Sequence, residues 1–400
     1  LSSIPPGSNC VESTVPKPLA PRNPLAPGVF LLRNAGKTLP LVLVIMLAVM
    51  LIAGIVSMMN SIPYSIRTIY DYSKRYTGIT PRGDPSQTPI LRQAVLDESP
   101  VKLGRVITCR ASEAVVRSIV GKWPFVVVAL GQDDMRYYLD QMEVERVEGR
   151  LPAPGAAEAI ISEPVARNLN LKLGDPLLGP EINDAYSPQE VKIVGIARTD
   201  RWLKLTPIEY HQANHFPPID LLIAFAEDPR EQAKLDRWAI ERFKGERARV
   251  FAYELLDRDT EEMFQILYKI LNVVIGTLVV VITFMMGMLM NIYQSQRVQE
   301  FGLLQALGYT RRALLKRVLM ESVLVVVGGW VLGVGCALLL LNAVKSLLMD
   351  PQAFALNPLD PAAYLYSIPA PIAILAAAWY TVWLRFRRFD PVGVVERRLV

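Results

Sequence analysis

Four long apolar segments constrain the fold of this chain more than any other feature. A helix of about 20 mostly apolar residues crosses about 30 Å of hydrocarbon, and each segment is long enough to do so. The sequence therefore predicts an α-helical membrane protein with four transmembrane helices. They cover about residues 41–59, 271–292, 323–344 and 362–384.

Basic residues flank these segments unevenly. They are Arg22, Arg33 and Lys37 before the first segment; Arg297, Arg311, Arg312, Lys316 and Arg317 between the second and third; and Arg385, Arg387, Arg388, Arg397 and Arg398 after the fourth. Short flanks rich in Lys and Arg remain in the cytoplasm. Both termini are therefore expected in the cytoplasm, and the long stretch between the first two helices is expected outside it.

The chain divides into four predicted parts. Residues 1–28 form a Pro-rich cytoplasmic arm, and 29–59 form an interfacial helix and the first span. Residues 60–269 form an inserted extracytoplasmic domain, and 270–400 form a membrane domain with the other three spans and a cytoplasmic tail. Hydrophobic residues make up 52% of the chain and charged residues 20%, a balance that suits a chain partly in lipid and partly in water.

The inserted domain has a mixed pattern that predicts an α+β fold, in one or two lobes. Its ends carry helical patterns that predict stalks continuing the first and second spans, the second beginning at an Asp259 cap. Strands are expected near 115–120, 125–130, 158–161, 191–197, 220–225 and 249–254, and helices near 163–171 and 229–243.

A short amphipathic segment lies between the second and third spans. Phe301, Leu304 and Leu307 supply its apolar positions, and Gly308 can provide a left-handed turn at its end. Thr310 can then cap the next helix. Taken alone, such a segment is typical of a helix on lipid headgroups.

The sequence of this segment changes that interpretation. Its run Glu-Phe-Gly-Leu-Leu-Gln-Ala-Leu-Gly over 300–308 resembles the hallmark of the FtsX/MacB-type (type VII) ABC transporter permease superfamily. Gln305 departs from it, because the family usually carries a basic residue there. The resemblance extends to the Gly-rich third span, the C-terminal tail and the MacB-like periplasmic core domain. Its motifs lie at 328–335, 388–395, 148–152, 158–163 and 171–176, and together the resemblance covers about residues 30–398.

The resemblance implies a permease half in a bacterial inner membrane that pairs as a homodimer or heterodimer. It also implies a coupling helix that docks a cytoplasmic ATPase, with a periplasmic adaptor left open and no nucleic-acid partner expected. The docking residues that it implies are Glu300, Phe301, Gly302, Leu304, Leu307 and Gly308.

The 400 residues contain no GxxxxGK[ST] loop to hold ATP phosphates. Hydrolysis is therefore expected in the partner ATPase, with ATP and Mg²⁺ bound there and no cofactor in this chain. The favoured function is export or extraction of a substrate by mechanotransmission through the outer domain. The alternative is an FtsX-like signalling permease that regulates an extracytoplasmic partner such as a cell-wall hydrolase.

Three further patterns bear on packing and on metal binding. Gly329 and Gly333 form a GxxxG motif, which fits close packing within the subunit or a dimer interface. His211 and His215 are four residues apart, but Gln212 stands where a metalloprotease helix needs Glu, so surface histidines in a loop are expected. The cysteines have no metal-binding spacing. Neither a metal site nor a catalytic site is expected.

Overall fold

The computed structural model describes residues 35–387. The predicted Pro-rich arm, the start of the interfacial segment and the tail after residue 387 lie outside the described residues. The chain forms two compact units, which are described separately. The helical unit contains described residues 35–48, 280–332 and 369–387, and the sheet unit contains 49–279 and 333–368.

The α-helices within residues 35–387 are α1 (Ala35–Ile69), α2 (Thr88–Glu98), α3 (Gln132–Gln141), α4 (Glu163–Leu169), α5 (Ile208–Ala213), α6 (Gln232–Arg242), α7 (Tyr253–Ser295), α8 (Val298–Ala306), α9 (Arg311–Val344), α10 (Pro361–Leu365) and α11 (Pro369–Arg387). The strands are β1 (Thr77–Thr80), β2 (Leu103–Ser118), β3 (Gly121–Leu130), β4 (Arg146–Gly149), β5 (Glu158–Ser162), β6 (Pro176–Leu178), β7 (Val191–Arg198), β8 (Lys204–Pro207), β9 (Asp220–Ala226) and β10 (Arg249–Phe251).

Four helical segments of the described chain are long and apolar enough to cross a membrane, as predicted. They are Thr38–Ile69, Tyr253–Ser295, Arg311–Gln352 and Pro361–Leu384. The fourth segment contains a break, because α10 and α11 are separated by a turn at residues 366–368. Pro369 has no N–H with which to continue the helical hydrogen bonds.

The predicted stalks are continuous with the first two spans. α1 runs on to Ile69, and α7 begins at Tyr253, so the predicted helix start at Asp259 was wrong. The carbonyl of Ala252 accepts hydrogen bonds from two following backbone N–H groups and begins the helix earlier. Between the two stalks, Arg67 forms ion pairs with Asp257 and Glu261 at 2.5 and 2.9 Å.

The sheet unit contains a ten-stranded mixed sheet, which confirms the α+β prediction. Its order is β10-β1-β9-β2-β3-β8-β5-β7-β4, with β6 paired to β7. The β3–β8 and β5–β7 pairs are parallel, and the others are antiparallel.

Apolar side chains cover both faces of strand β9. Leu222 and Ala224 join a cluster with α2 and α6, whereas Ile223 and Phe225 join a larger cluster with α3. Because successive strand residues point to opposite faces, this alternation buries the strand from both sides.

The predicted break between the first two strands was misplaced. β2 and β3 form a hairpin whose last pair is Ser118 with Gly121, so the turn is at Ile119 and Val120. Gly121 has a φ of 115°, which a residue with a side chain rarely adopts. The strand before this turn is also much longer than predicted, because it begins at Leu103.

The expectation of surface histidines in a loop was wrong for His211. This side chain is fully buried on α5, with Nδ1 3.4 Å from Thr206 Oγ1 and Nε2 3.3 Å from Ser112 Oγ. Burial lowers the pKa of His211 to about 4, so it is neutral at pH 7. His215 is exposed in a loop, as expected.

Candidate functional site

The short helix α8 follows the second span and precedes the third, as predicted. Gly308 has a φ of 92°, and its N–H donates to Gln305 O at 3.0 Å. The N–H of Tyr309 donates to Leu304 O at 3.1 Å. The two hydrogen bonds end α8 in a Schellman motif, with Gly308 in the left-handed region. Thr310 Oγ1 accepts a hydrogen bond from the N–H of Ala313 at 3.3 Å and caps α9.

A buried ion pair joins the start of α8 to the side of α9. Arg297, immediately before α8, places Nη1 2.6 Å from Glu321 Oε2. The two residues are 4% and 3% exposed. Arg297 Nε also bonds Glu300 at 3.1 Å, and Arg317 Nε bonds Glu321 at 3.2 Å. Removing one partner of such a pair costs about 3–5 kcal/mol, because the other charge is left buried.

Phe301 packs the inner face of α8 against the neighbouring helices α9 and α11. It is buried against Val318 of α9 and Val382 of α11, and the Arg297 guanidinium lies 5.2 Å from its ring centroid. The neighbouring Gly302 is buried as well. Both were among the predicted docking residues, and the structure places them against the chain itself.

The outer face of α8 carries exposed apolar side chains. Leu303 and Leu307 are 66% and 70% exposed, and they are four residues apart, so they share a face of the helix. Leu304 is half-buried, while Glu300 and Gly308 are exposed. The predicted docking set is therefore divided between two faces. The role of this set in docking an ATPase remains a prediction.

Sequence reasoning missed both Leu303 and the buried ion pair. Leu303 is two residues after Phe301, and two residues turn a helix by about 200°, so this spacing identifies the opposite face. The i,i+4 spacing of Arg317 and Glu321 also signals an ion pair. Arg297 was assigned only as a basic residue near a helix end, because nothing in its local sequence names a partner 24 positions away.

Gly329 allows the third span to approach the first closely. A Cβ atom at this position would lie 2.9 Å from Ile45 Cβ and 3.2 Å from Val42 O on α1. Glycine is therefore needed here for packing within the subunit, which was one of the two predicted interpretations. Gly333 is also buried.

Within the described range, no group of three or more His, Cys, Asp or Glu side chains is arranged to hold a metal ion. The features that stand out at the end of the helical unit are therefore a covered ion pair and an uncovered apolar face. Such an arrangement can bind another protein while the helix stays fixed to its own bundle.

Solved structures similar to this chain include two domains that lie outside the cytoplasm. One is the periplasmic region of MacB from Actinobacillus actinomycetemcomitans, at 12% identity and a TM-score of 0.28, covering 49% of this chain and 95% of that one. Another is the extracellular domain of the noncanonic ABC-type transporter YknZ from Gram-positive bacteria, at 12% identity and a TM-score of 0.24, covering 42% and 91%.

Comparison with curated proteins gives no match. The model of the FtsX-like permease C-terminal family matches residues 272–391. The matched region contains α8, the buried ion pair and Gly329. The C-terminal part of the chain is therefore similar to FtsX-like permeases, as the sequence resemblance predicted.

Proposed function

We propose that this chain is the permease subunit of an ABC transporter and that α8 docks a cytoplasmic ATPase. The observation that carries the proposal is the pairing of two features on one short helix. Arg297 and Phe301 fix α8 to the helical unit, while Leu303 and Leu307 remain uncovered. Apolar side chains on a fixed helix can fill a groove on a partner at little entropic cost.

The buried ion pair gives α8 a way to transmit force. Movement of a docked ATPase would shift α8 and, through Arg297 and Glu321, the base of α9. Charged hydrogen bonds of this kind are short and directional, so they resist sliding between the two helices. The proposed output is mechanotransmission to the sheet domain, which drives export or extraction of a substrate.

Within the sheet unit, contacts between the stalk parts of α1 and α7 can transmit such a movement from one helix to the other. Ile66 of α1 and Phe264 of α7 pack in one apolar cluster, and Arg67 bridges to Asp257 and Glu261. A displacement of one stalk therefore moves the other.

The proposed assembly contains two permease subunits, identical or different, in a bacterial inner membrane with both termini in the cytoplasm. ATP and Mg²⁺ belong to the ATPase in this proposal. An adaptor outside the cytoplasm would bind the sheet domain.

The test is co-purification of the tagged full chain with its P-loop ATPase from the native membrane, followed by measurement of ATPase activity. Leu303→Asp and Leu307→Asp should each reduce recovery of the ATPase at least about tenfold, because an uncompensated carboxylate would be buried in the interface. Leu173→Asp is the matched control, since Leu173 is an exposed apolar residue of the sheet unit.

Undiminished complex formation by both α8 variants would overturn the docking proposal. The signalling alternative has a separate outcome. If the deletion strain changed only its cell wall or division and lost no exported compound, regulation of an extracytoplasmic partner would replace transport as the function.

A further inference from the structure

Strand β2 has a neighbour on both sides over only part of its length. It pairs with β9 from Leu103 to Arg110 and with β3 from Arg110 to Ser118. Within residues 35–387, positions 103–109 therefore have a strand partner on one side only. The chain leaves β3 after Leu130 and turns into α3, so β3 cannot extend along them. We call positions 103–109 the free edge.

The free edge presents backbone groups in a strand-like row. Ala111 donates its N–H to Ile219 O at 2.9 Å, towards the β9 side. Alternate residues of an antiparallel strand direct their N–H and C=O groups to the same neighbour. The odd-numbered residues therefore face β9, and the N–H and C=O groups of Val106 and Thr108 face the open side.

A groove of about 650 Å³ lies along this edge. Arg92 and Leu96 of α2 line it from one side, Asp134 of α3 lines it from another, and β2 residues including Val106 and Thr108 form its floor. An added strand lies about 4.8 Å from its neighbour, so an extended peptide fits a groove of this kind.

A bulge marks one end of the free edge. The pairing with β9 shifts register between Leu103 and Arg105, and a Cβ atom at Gly104 would lie 2.9 Å from Tyr137 Oη. Bulges interrupt strand pairing locally and redirect side chains. An added strand would therefore pair beyond this point, along residues 105–109.

The charges of the groove favour an acidic occupant. Arg105 is paired with Asp134 at 2.6 Å, whereas Arg92 is exposed and has no ion pair within the described residues. The groove therefore has one more positive charge than negative. Edge-to-edge pairing of two copies would bring these basic groups together, and like charges across neighbouring strands are destabilising.

We propose that the free edge binds an extended, acidic segment of a partner protein, which adds to β2 as a further strand. Main-chain hydrogen bonds to Val106 and Thr108 supply affinity in this mode, and side-chain contacts supply specificity. Alternate side chains of the segment would meet Arg92 and Leu96 on one face of the sheet and Arg105 on the other. This surface goes beyond the proposed function and is independent of ATPase docking.

The experiment measures binding of synthetic peptides to the full chain in lipid nanodiscs by isothermal titration calorimetry. The probes are peptides of about nine residues with alternating Val and Glu, the same peptide with Lys replacing Glu, and the Glu peptide N-methylated at alternate residues. Only the unmodified Glu peptide should bind well, and the other two should bind at least about tenfold more weakly. Bound Glu peptide should also slow hydrogen exchange at Val106 and Thr108.

Variants of the chain provide the matched test. Val106→Pro removes an N–H from the free edge, and Arg92→Ala removes the unpaired charge, so both should weaken binding of the Glu peptide. Arg136→Ala, an exposed position of α3 outside the groove, should leave it unchanged. The N-methylated peptide needs no change to the protein, so it remains decisive if Val106→Pro does not fold.

Three results would overturn the proposal. They are equal binding of the N-methylated and unmodified peptides, no binding of the Glu peptide at about 1 mM, and unchanged binding by both Val106→Pro and Arg92→Ala. Conversion of a dimer of the chain to a monomer by Val106→Pro would instead assign the edge to a second copy and would exclude the partner.

Discussion

Arg297 and Glu321 are 24 positions apart, and their side chains meet at 2.6 Å in a site that solvent barely reaches. Arg297 precedes α8, and Glu321 lies on α9. The pair therefore determines how the exposed face of α8 is presented, because α8 cannot turn about its axis without separating two buried charges.

Glu321→Gln should destabilise the helical unit by about 3–5 kcal/mol, because the buried Arg297 would lose the carboxylate on α9 and keep its bond to the exposed Glu300. Arg297→Met should have a comparable effect, and the double replacement by Met should cost less than the sum of the single ones. The measurement is thermal unfolding of the purified chain in detergent, with Arg311→Met as the exposed basic control. Strictly additive losses would show that the two residues do not interact.

Gly329→Ala should destabilise the packing of α9 on α1 by about 1–3 kcal/mol, since the added methyl group would overlap Ile45. Ile45→Ala should relieve only part of this overlap in the double variant, because it removes Cγ2 at 3.0 Å but keeps Cβ at 2.9 Å. Gly328→Ala is the matched control, as its added Cβ would meet nothing within 4 Å. Equal effects of the two glycine substitutions would contradict this account.

Some features of the fold and of the candidate site can be predicted from the sequence, and others cannot. The four spans follow from apolar length alone, and the turn at Gly308 follows from one residue type. The strand limits near Gly121 and the burial of His211 did not follow, since both depend on pairing with distant segments. The same limit applies to α8. Its periodicity predicts apolar positions, but which face is buried depends on the contact of Phe301 with Val318 of α9.

Asn168→Ala should destabilise the sheet unit by about 1–3 kcal/mol, because it removes three hydrogen bonds that the buried Asn168 side chain makes to the backbone. Asn168 Oδ1 accepts from Arg117 N at 2.8 Å, and Nδ2 donates to the carbonyls of Arg117 and Gln352 at 3.0 and 2.9 Å. Urea unfolding of the chain in detergent would measure the loss. Asn214→Ala, at a partly exposed loop residue, is the control and should have a smaller effect.

Asn168 also connects the sheet to the end of the third spanning segment, through Gln352 O. Asn168→Ala should therefore increase hydrogen exchange around residues 350–353 as well as around Arg117. Increased exchange near Arg117 alone would show that the bond to Gln352 does not restrain that segment.

Lys204 should make the stability of the sheet unit depend on pH above neutrality. Its amine is buried, donates to Val115 O at 2.8 Å and lies 5.6 Å from the ring centroid of Phe125. Burial lowers the pKa of Lys204 from 10.5 to about 7. Between pH 7 and 10.5 the unfolded chain therefore binds more protons at this position, so its contribution to stability rises with pH in that range.

Lys204→Met should remove this rise, whereas Lys172→Met, at an exposed lysine, should retain it. The measurement is the free energy of unfolding of both variants and the parent chain in urea at pH 7 and pH 9.5. Met carries no charge that must be desolvated on folding, so the free energy of unfolding of Lys204→Met should not depend on pH through this position. The free energy of unfolding of the parent chain should rise relative to that of Lys204→Met as the pH rises. A parallel pH dependence of the two chains would show that Lys204 keeps its proton throughout this range in both states.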